Sequence, residues 1–119
     1  MSKNAVIFGA SSGIGRELAR LLVNDGYKVM ITGRRVELLK EIQKENPENY
    51  IIKQHDINNI DKTLELFELL SNSFDDVDLI IHNAGIAEEN FDLEWDKDLP
   101  TINTNVIAAT RVYQLAYNY

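Results

Sequence analysis

The 119-residue chain has no cysteine, few basic residues and no long apolar run. Without cysteine it cannot form a disulfide framework, a thiolate metal site or a cysteine nucleophile, and this composition fits a reducing compartment. Twelve basic against nineteen acidic side chains give a net charge of -7, which disfavours binding to nucleic acid or to anionic membrane surfaces. The first apolar run ends at Gly9, too early for a signal peptide, and no window approaches the roughly 18 apolar residues of a membrane span. We therefore expect a cytoplasmic protein that binds neither nucleic acid nor membrane.

Short β-rich runs alternate with longer stretches of helical period along the chain. Strands are predicted at residues 4–8, 28–32, 50–54 and 77–82, and helices at residues 13–25, 36–46, 59–72 and from residue 99 onward. This alternation is typical of a parallel sheet whose strands are joined by right-handed helical crossovers. Because the sequence contains no repeats, low-complexity tracts or linker, residues 1–119 are expected to form a single α/β domain.

The apolar positions of the predicted helices indicate which face of each helix packs on the sheet. In the first, third and last helices these positions are, in order, Leu18, Leu21 and Leu22; Ile60, Leu64 and Phe67; and Leu99, Ile102, Val106, Ala109, Tyr113 and Ala116.

A glycine-rich turn follows the first strand and opens the first helix. Glycines let the backbone approach a pyrophosphate closely, and the amides and dipole of a helix N-terminus favour its negative charge. Serine at position 11 excludes Gly-x-Gly-x-x-Gly, and isoleucine at position 14 without a following Lys-Ser/Thr pair excludes a P-loop. The spacing Gly-x-x-x-Gly-x-Gly resembles that of the short-chain dehydrogenase/reductase family. The candidate pyrophosphate contacts are Gly9, Ser11, Ser12, Gly13, Ile14 and Gly15; the alternative is a turn that binds no ligand.

The second strand ends in Gly33, Arg34 and Arg35, with no acidic residue in the turn. In a dinucleotide-binding fold a carboxylate at this position binds the 2′-hydroxyl of NAD, whereas an arginine accommodates the 2′-phosphate of NADP. The two arginines therefore favour NADP over NAD, and Arg34, directly after the glycine, is the stronger candidate. The alternative is that both are solvated charges that open the next helix.

Two further strand ends carry candidate adenosine contacts. Asp56 could accept a hydrogen bond from the adenine amino group with Ile57 against the ring, or it could equally be a loop or helix-capping aspartate. The segment after the fourth strand, His82 followed by Asn83, Ala84 and Gly85, resembles the family's Asn-Asn-Ala-Gly motif, with His82 replacing the first asparagine. Asn83, Ala84 and Gly85 are expected to lie against the cofactor, and His82 is given no chemical role.

The last helix contains Asn105 followed by Val-Ile-Ala, which resembles the family's Asn-Val-x-Gly/Ala segment. In that family the asparagine kinks the helix and holds a water in a proton relay, so the resemblance implies a catalytic role for Asn105. Asn103 is a second candidate for this role because it is also an asparagine of the last helix. The alternative is that Asn105 is an ordinary polar residue of a helix.

These three motifs follow the family's order over residues 5–109. The resemblance implies a Rossmann-like doubly wound parallel sheet with about four strands present, a nicotinamide cofactor, no metal, and oxidation or reduction of a small alcohol or carbonyl substrate. It also implies a catalytic serine and a Tyr-x-x-x-Lys pair, but no lysine here has tyrosine four positions before it. Because family members are about twice as long, we expect the cofactor-binding N-terminal half of an NADP-dependent oxidoreductase, inactive alone.

Other hypotheses stay open alongside this one. The main alternative is a non-catalytic dinucleotide-binding module or redox sensor. A sugar-nucleotide epimerase or dehydratase is disfavoured because that branch uses Gly-x-x-Gly-x-x-Gly, and position 12 is serine. An apolar sheet edge at the fourth strand and a partly unpacked last helix predict a homo-oligomer, and in the family this helix commonly helps form dimers.

Overall fold

The computed structural model describes residues 3–11, 13–85 and 90–119. Its strands are β1 (Lys3–Phe8), β2 (Tyr27–Gly33), β3 (Tyr50–Gln54) and β4 (Leu79–His82), and its helices are α1 (Gly13–Asn24), α2 (Val36–Glu45), α3 (Ile60–Glu68), α4 (Trp95–Ile102) and α5 (Ala109–Asn118). A short 3₁₀ turn, Leu70–Asn72, follows α3, and a π-helical segment, Asn103–Ala108, joins α4 to α5. Within these ranges no helix has the length and apolar character needed to cross a membrane.

The four strands form one parallel sheet in the order β3-β2-β1-β4. Along β1, Ala5 and Ile7 pack into a core with α1 and α2, whereas Val6 and Phe8 pack into a second core with α3 and α5. Successive side chains of a strand point to opposite faces, so a strand covered on both faces has a continuous apolar sequence. The expected α/β fold, a Rossmann-like doubly wound parallel sheet, is confirmed.

The strand order reverses at β1, which has β2 on one side and β4 on the other. Phe8 at the end of β1 lies opposite both Thr32 and His82, so the three strands end at the same level. In open α/β sheets a crevice forms outside the carboxyl ends of the strands where their order reverses. This topology therefore places a crevice beside the turns that follow β1 and β4.

An ion pair joins the two helices on one face of the sheet. Arg20 of α1 donates from Nε and Nη2 to the two carboxylate oxygens of Glu45 at the end of α2, at 2.9 and 2.6 Å. The hydrogen bonds from Arg20 hold the pKa of Glu45 below its ordinary value. Because each arginine donor meets a separate oxygen, the pair fixes the relative direction of α1 and α2 as well as neutralising charge.

The fourth strand begins at Leu79, two residues later than predicted. Asp78 donates its backbone N–H to Asn4 O at 2.9 Å, and its carboxylate accepts from Asn4 N–H at 2.7 Å. A side-chain oxygen thus replaces the backbone carbonyl that would accept in a regular ladder. The pairing with β1 becomes regular only beyond this contact.

In α1 and in α3, one apolar residue that was expected to pack on the sheet is exposed. Leu21 is 63% exposed, because it lies about 200° around the helix from buried Ala19, whereas Leu18 and Leu22 pack against the core as expected. In α3, Phe67 is buried, but Ile60 in the first turn is 39% exposed.

The last helical run begins at Trp95 rather than at residue 99, since its first turn holds Asp96 and Asp98, which suit a helix N-terminus but give no apolar signal. A π turn contains more residues than an α turn, so the apolar pattern loses register at the π-helical segment. Val106 and Tyr113, both expected to pack on the sheet, are 56% and 60% exposed. Ala109 is buried as expected, and the other buried residues of this region are Thr104, Ala108 and Val112, which the apolar pattern did not include.

We expect Phe67→Ala to lower the free energy of unfolding by about 3 to 5 kcal/mol, because Phe67 is buried and stacks on Phe8 with ring centroids 5.6 Å apart. Ile60→Ala, on the same helix, should cost less than about 1 kcal/mol. Urea unfolding of both variants measures the difference. Similar losses would contradict the buried face described for α3.

Candidate functional site

A cleft of about 570 Å³ opens at the carboxyl ends of the strands, where the strand order reverses. The predicted site residues that line it are Gly9, Ser11, Gly13, Ile14, Arg34, Arg35, Asp56, Ile57, Asn83, Ala84 and Gly85. Lining residues that the sequence did not point to are Thr32, Gly33, His55, Asn58, Pro100 and Thr104. Gly15 and Asn105 lie outside the lining, and Ser12 falls outside the residues that the structure describes.

The backbone of three segments meets at Gly9. Its φ is +86°, and a Cβ at this position would lie 2.5 Å from the backbone nitrogen of Ala84. A Cβ at Gly15 would collide with the carbonyl oxygen of Gly9. Asn83 closes the junction by donating from Nδ2 to that same oxygen, at 3.2 Å. Glycine at positions 9 and 15 therefore lets α1 and the end of β4 approach the turn after β1 directly.

The start of α1 is open to the cleft. Gly13 has a φ of +60° with no atom within 4 Å of a Cβ built on it, so here glycine supplies a backbone conformation rather than space. Ile14 is 72% exposed, and Ser11 lies over Gly33, where an added Cβ would be 3.2 Å from the serine Cβ. The first amides of a helix have no acceptor within it, so this end of α1 suits an anionic group.

Arg34 and Arg35 are exposed at the end of β2 and line the cleft. Gln54 of β3 donates from Nε2 to the backbone oxygen of Arg34 at 3.1 Å. The backbone oxygen of Arg35 accepts from the N–H groups of Leu38 and Leu39 as α2 begins. The two guanidinium groups thus extend from a backbone that both neighbouring elements hold in place.

The hydrogen bonds of the loop after β3 show which backbone groups Asp56 binds. Its Oδ1 accepts from Asn58 N–H at 2.9 Å, which stabilises the loop, whereas α3 is capped by Asn59, whose Oδ1 accepts from Lys62 N–H at 3.2 Å. Asp56 therefore bonds within its own loop and does not cap α3, and its second carboxylate oxygen leaves the adenine contact open. Ile57 is buried and contributes to the core below the cleft.

His55 supports this loop from the core side. Burial lowers its pKa, because the imidazolium ion would lose its hydration. The hydroxyl of Thr63 donates to the backbone oxygen of Asn59 at 3.1 Å, so its oxygen accepts from His55 Nε2–H at 2.8 Å. His55 was not among the predicted site residues, although a histidine directly after a strand and next to a candidate site is a usable signal.

A second contact missed by the sequence analysis joins the loop after β3 to the π-helical segment. Asn58 Nδ2 donates to Thr104 Oγ1 at 2.9 Å, between residues 46 positions apart. The next residue, Asn105, is exposed and lies against Gly85, where an added Cβ would be 3.3 Å from Asn105 Oδ1. Asn105 thus contacts a residue of the cleft wall without lining the cleft itself.

His82 lies below the last helical run rather than in the cleft. Its ring makes an edge-on contact with the ring of Tyr113, with centroids 5.4 Å apart, and burial lowers its pKa. The neutral form is therefore favoured at neutral pH, as suits a packed histidine.

We expect Gly15→Ala to reduce the free energy of unfolding by more than about 3 kcal/mol, because its methyl group meets a backbone carbonyl that cannot rotate away. Gly13→Ala should cost only about 1 to 2 kcal/mol, since its strain comes from positive φ alone. Urea unfolding compares the two. Equal losses would show that the close approach at Gly9 does not constrain the fold.

The chain matches proteins of one family over nearly all its length. The family model described as short chain dehydrogenase matches residues 3–119. An uncharacterized oxidoreductase of Staphylococcus saprophyticus is 40% identical over 96 residues, covering 80% of this chain and 39% of that protein. An NADP-dependent 3-hydroxy acid dehydrogenase of Salmonella typhi is 32% identical over 112 residues, covering 89% of this chain and 45% of that protein.

A solved structure, ElxO with NADP bound, superposes with a TM-score of 0.90 at 27% identity, covering 99% of this chain and 50% of that chain. The chain thus spans about half the length of the relatives it matches, or less. The glycine spacing, the doubly wound sheet and the match over residues 3–119 agree, and the chain belongs to the short-chain dehydrogenase family.

Proposed function

We propose that this chain is the cofactor-binding part of an NADP-dependent oxidoreductase that acts on a small alcohol or carbonyl compound. The observation that carries the proposal is the cleft itself, in which a glycine-rich turn faces Arg34 and Arg35 and no carboxylate ends β2. One relative is named as NADP-dependent, and one similar structure contains NADP, which supports the choice of cofactor.

Each residue that the sequence predicted for cofactor binding has a proposed partner on the dinucleotide. The backbone of the turn and of the α1 start binds the pyrophosphate, through Gly9, Ser11, Ser12, Gly13, Ile14 and Gly15. Arg34 and Arg35 bind the 2′-phosphate, because a guanidinium group offers several N–H donors to phosphate oxygens. Asp56 accepts from the adenine amino group through the oxygen that Asn58 leaves open, and Ile57 supports the ring. Asn83, Ala84 and Gly85 lie against the adenosine side.

Asn105 is proposed to hold a water in the proton relay of the reaction. Its support is that the side chain is exposed beside Gly85, on a π-helical segment whose irregular hydrogen bonding is frequent at functional sites. When bound, the nicotinamide cofactor supplies or accepts the hydride. What this chain's own residues contribute is the orientation of the dinucleotide and, at Asn105, the position of a proton carrier.

The substrate chemistry needs groups that this sequence does not contain. It has no Tyr-x-x-x-Lys pair, so we propose that residues 3–119 bind the cofactor and do not turn over substrate alone. A second candidate function is a dinucleotide-binding module or redox sensor, which the cleft and its proposed dinucleotide contacts support equally well. Turnover of alcohols or carbonyls by a longer product of the same gene would support the oxidoreductase over the binding module or redox sensor.

Self-association is a further part of the proposal. Tyr113 and Val106 are exposed on the last helical run, and β4 is an edge of the sheet in the part of the chain that the structure describes. Sedimentation at increasing concentration should therefore show dimers or larger species. A monomer over the whole range would contradict it.

Arg34→Ala should weaken NADP⁺ binding roughly tenfold to a hundredfold, because a charge-assisted contact contributes about 1.5 to 3 kcal/mol. Binding of NAD⁺, which lacks the 2′-phosphate, should change little. Titration calorimetry with both dinucleotides measures the preference, and Lys40→Ala, an exposed lysine of α2 outside the cleft, is the matched control. Equal affinities in the unchanged chain, or an unchanged preference in Arg34→Ala, would refute the assignment.

A further inference from the structure

A second cleft, of about 770 Å³, lies beside the first along the α3 side of the sheet. The two clefts share Arg34, His55 and Asp56. Arg34 therefore stands at their boundary and can be reached from both. The wall of the second cleft adds Lys53 of β3 and Lys62 of α3.

Lys53 is placed by the register of the sheet. It is paired with Thr32 and follows Ile51 by two positions, so its side chain leaves β3 on the face where Ile51 packs with the α3 and α5 core. It is exposed and lines the same cleft as Arg34. The backbones that carry the two cations are joined directly, because Gln54, next to Lys53 in β3, donates from Nε2 to the backbone oxygen of Arg34.

Some charged side chains of the second cleft form ion pairs within the protein, and others do not. Lys62 Nζ lies 3.1 Å from Glu65 Oε2, and Oδ1 of Asp56 accepts from the backbone of Asn58. Across the described ranges, the side chains of Arg34 and Lys53 have neither an ion pair nor a hydrogen bond. Two cations that line one cleft and form no ion pair repel each other, and an anion bound between them offsets that repulsion.

We propose that Lys53 is a second cation for the ribose 2′-phosphate, acting with Arg34 at the boundary of the two clefts. The inference rests on the proposed function and names a further residue that determines cofactor specificity. Arg34 supplies directed N–H donors, and Lys53 supplies a flexible point charge that neutralises the remaining negative charge of the phosphate. Lys62 does not serve this role because Glu65 already neutralises it.

The test is titration calorimetry of the full chain with NADP⁺ and NAD⁺ in Lys53→Gln and in Lys62→Gln, which removes a lysine from the same cleft. Lys53→Gln should weaken NADP⁺ binding about three- to thirtyfold, less than Arg34→Ala, because a single exposed lysine is partly screened by solvent. NAD⁺ binding should stay within about twofold, and Lys62→Gln should change neither. Lys53→Arg should restore binding of NADP⁺.

Two further measurements use other probes. Adenosine 2′-monophosphate should compete with NADP⁺ and should lose affinity in Lys53→Gln, whereas inorganic phosphate alone should bind equally weakly to both chains. The slope of log K for NADP⁺ against log salt should also fall in Lys53→Gln, since one fewer cation meets the phosphate.

Three results would overturn the role of Lys53. Equal weakening of NADP⁺ and NAD⁺ would indicate a general structural effect, and an unchanged NADP⁺ affinity would show that the lysine does not meet the phosphate. Tighter binding of inorganic phosphate by the unchanged chain than by Lys53→Gln, without any change for NADP⁺, would assign the second cleft to a separate anion. If Arg34→Ala loses the NADP⁺ preference while Lys53→Gln keeps it, the proposed function stands and only the role of Lys53 falls. If the unchanged chain shows no preference for NADP⁺, both fall.

Discussion

The candidate site depends on the close approach of three backbone segments at Gly9. The turn after β1, the start of α1 and the end of β4 meet there, and a side chain at Gly9 or Gly15 would separate them. The side chain of Asn83 stabilises this contact by donating from Nδ2 to the backbone oxygen of Gly9. Because this approach brings the first amides of α1 to the crevice, the proposed binding of a phosphate group and the stability of the fold depend on the same contact.

The sequence predicted those parts of the structure that local spacing encodes. The glycines at positions 9 and 13 and the arginine after Gly33 each follow a strand within a few residues, so recognising the strand places them at its carboxyl end. The contact between Asn58 and Thr104 could not be predicted in this way, because it joins residues 46 positions apart. The exposed Val106 and Tyr113 were misplaced for another reason: a period of 3.6 residues does not hold through a π-helical segment.

Net charge is a poor guide to the ligand of this chain, since local pairing decides where charge remains available. The chain carries a net charge of -7, yet Glu45 and Glu65 are bound to Arg20 and Lys62. Both pairs lie on helix surfaces, where water screens them, and only the pair of Arg20 with Glu45 joins two helices. The acidic composition disfavours a polyanion that would cover much of the surface, but it does not oppose a single phosphate held at one corner of a cleft.

The loop after β3 contacts both the cleft at Asp56 and the π-helical segment that carries Asn105. Its Asp56 faces the cleft, His55 and Thr63 hold it from the core, and Asn58 binds Thr104 in the π-helical segment. Asn105 follows Thr104 directly, so the residue proposed to hold the relay water is covalently attached to the residue that positions the adenosine loop. The contact between Asn58 and Thr104 therefore ties the position of that loop to the position of the π-helical segment. Two consecutive residues of this segment thus have different neighbours, since Thr104 contacts the loop through Asn58 while Asn105 lies against Gly85.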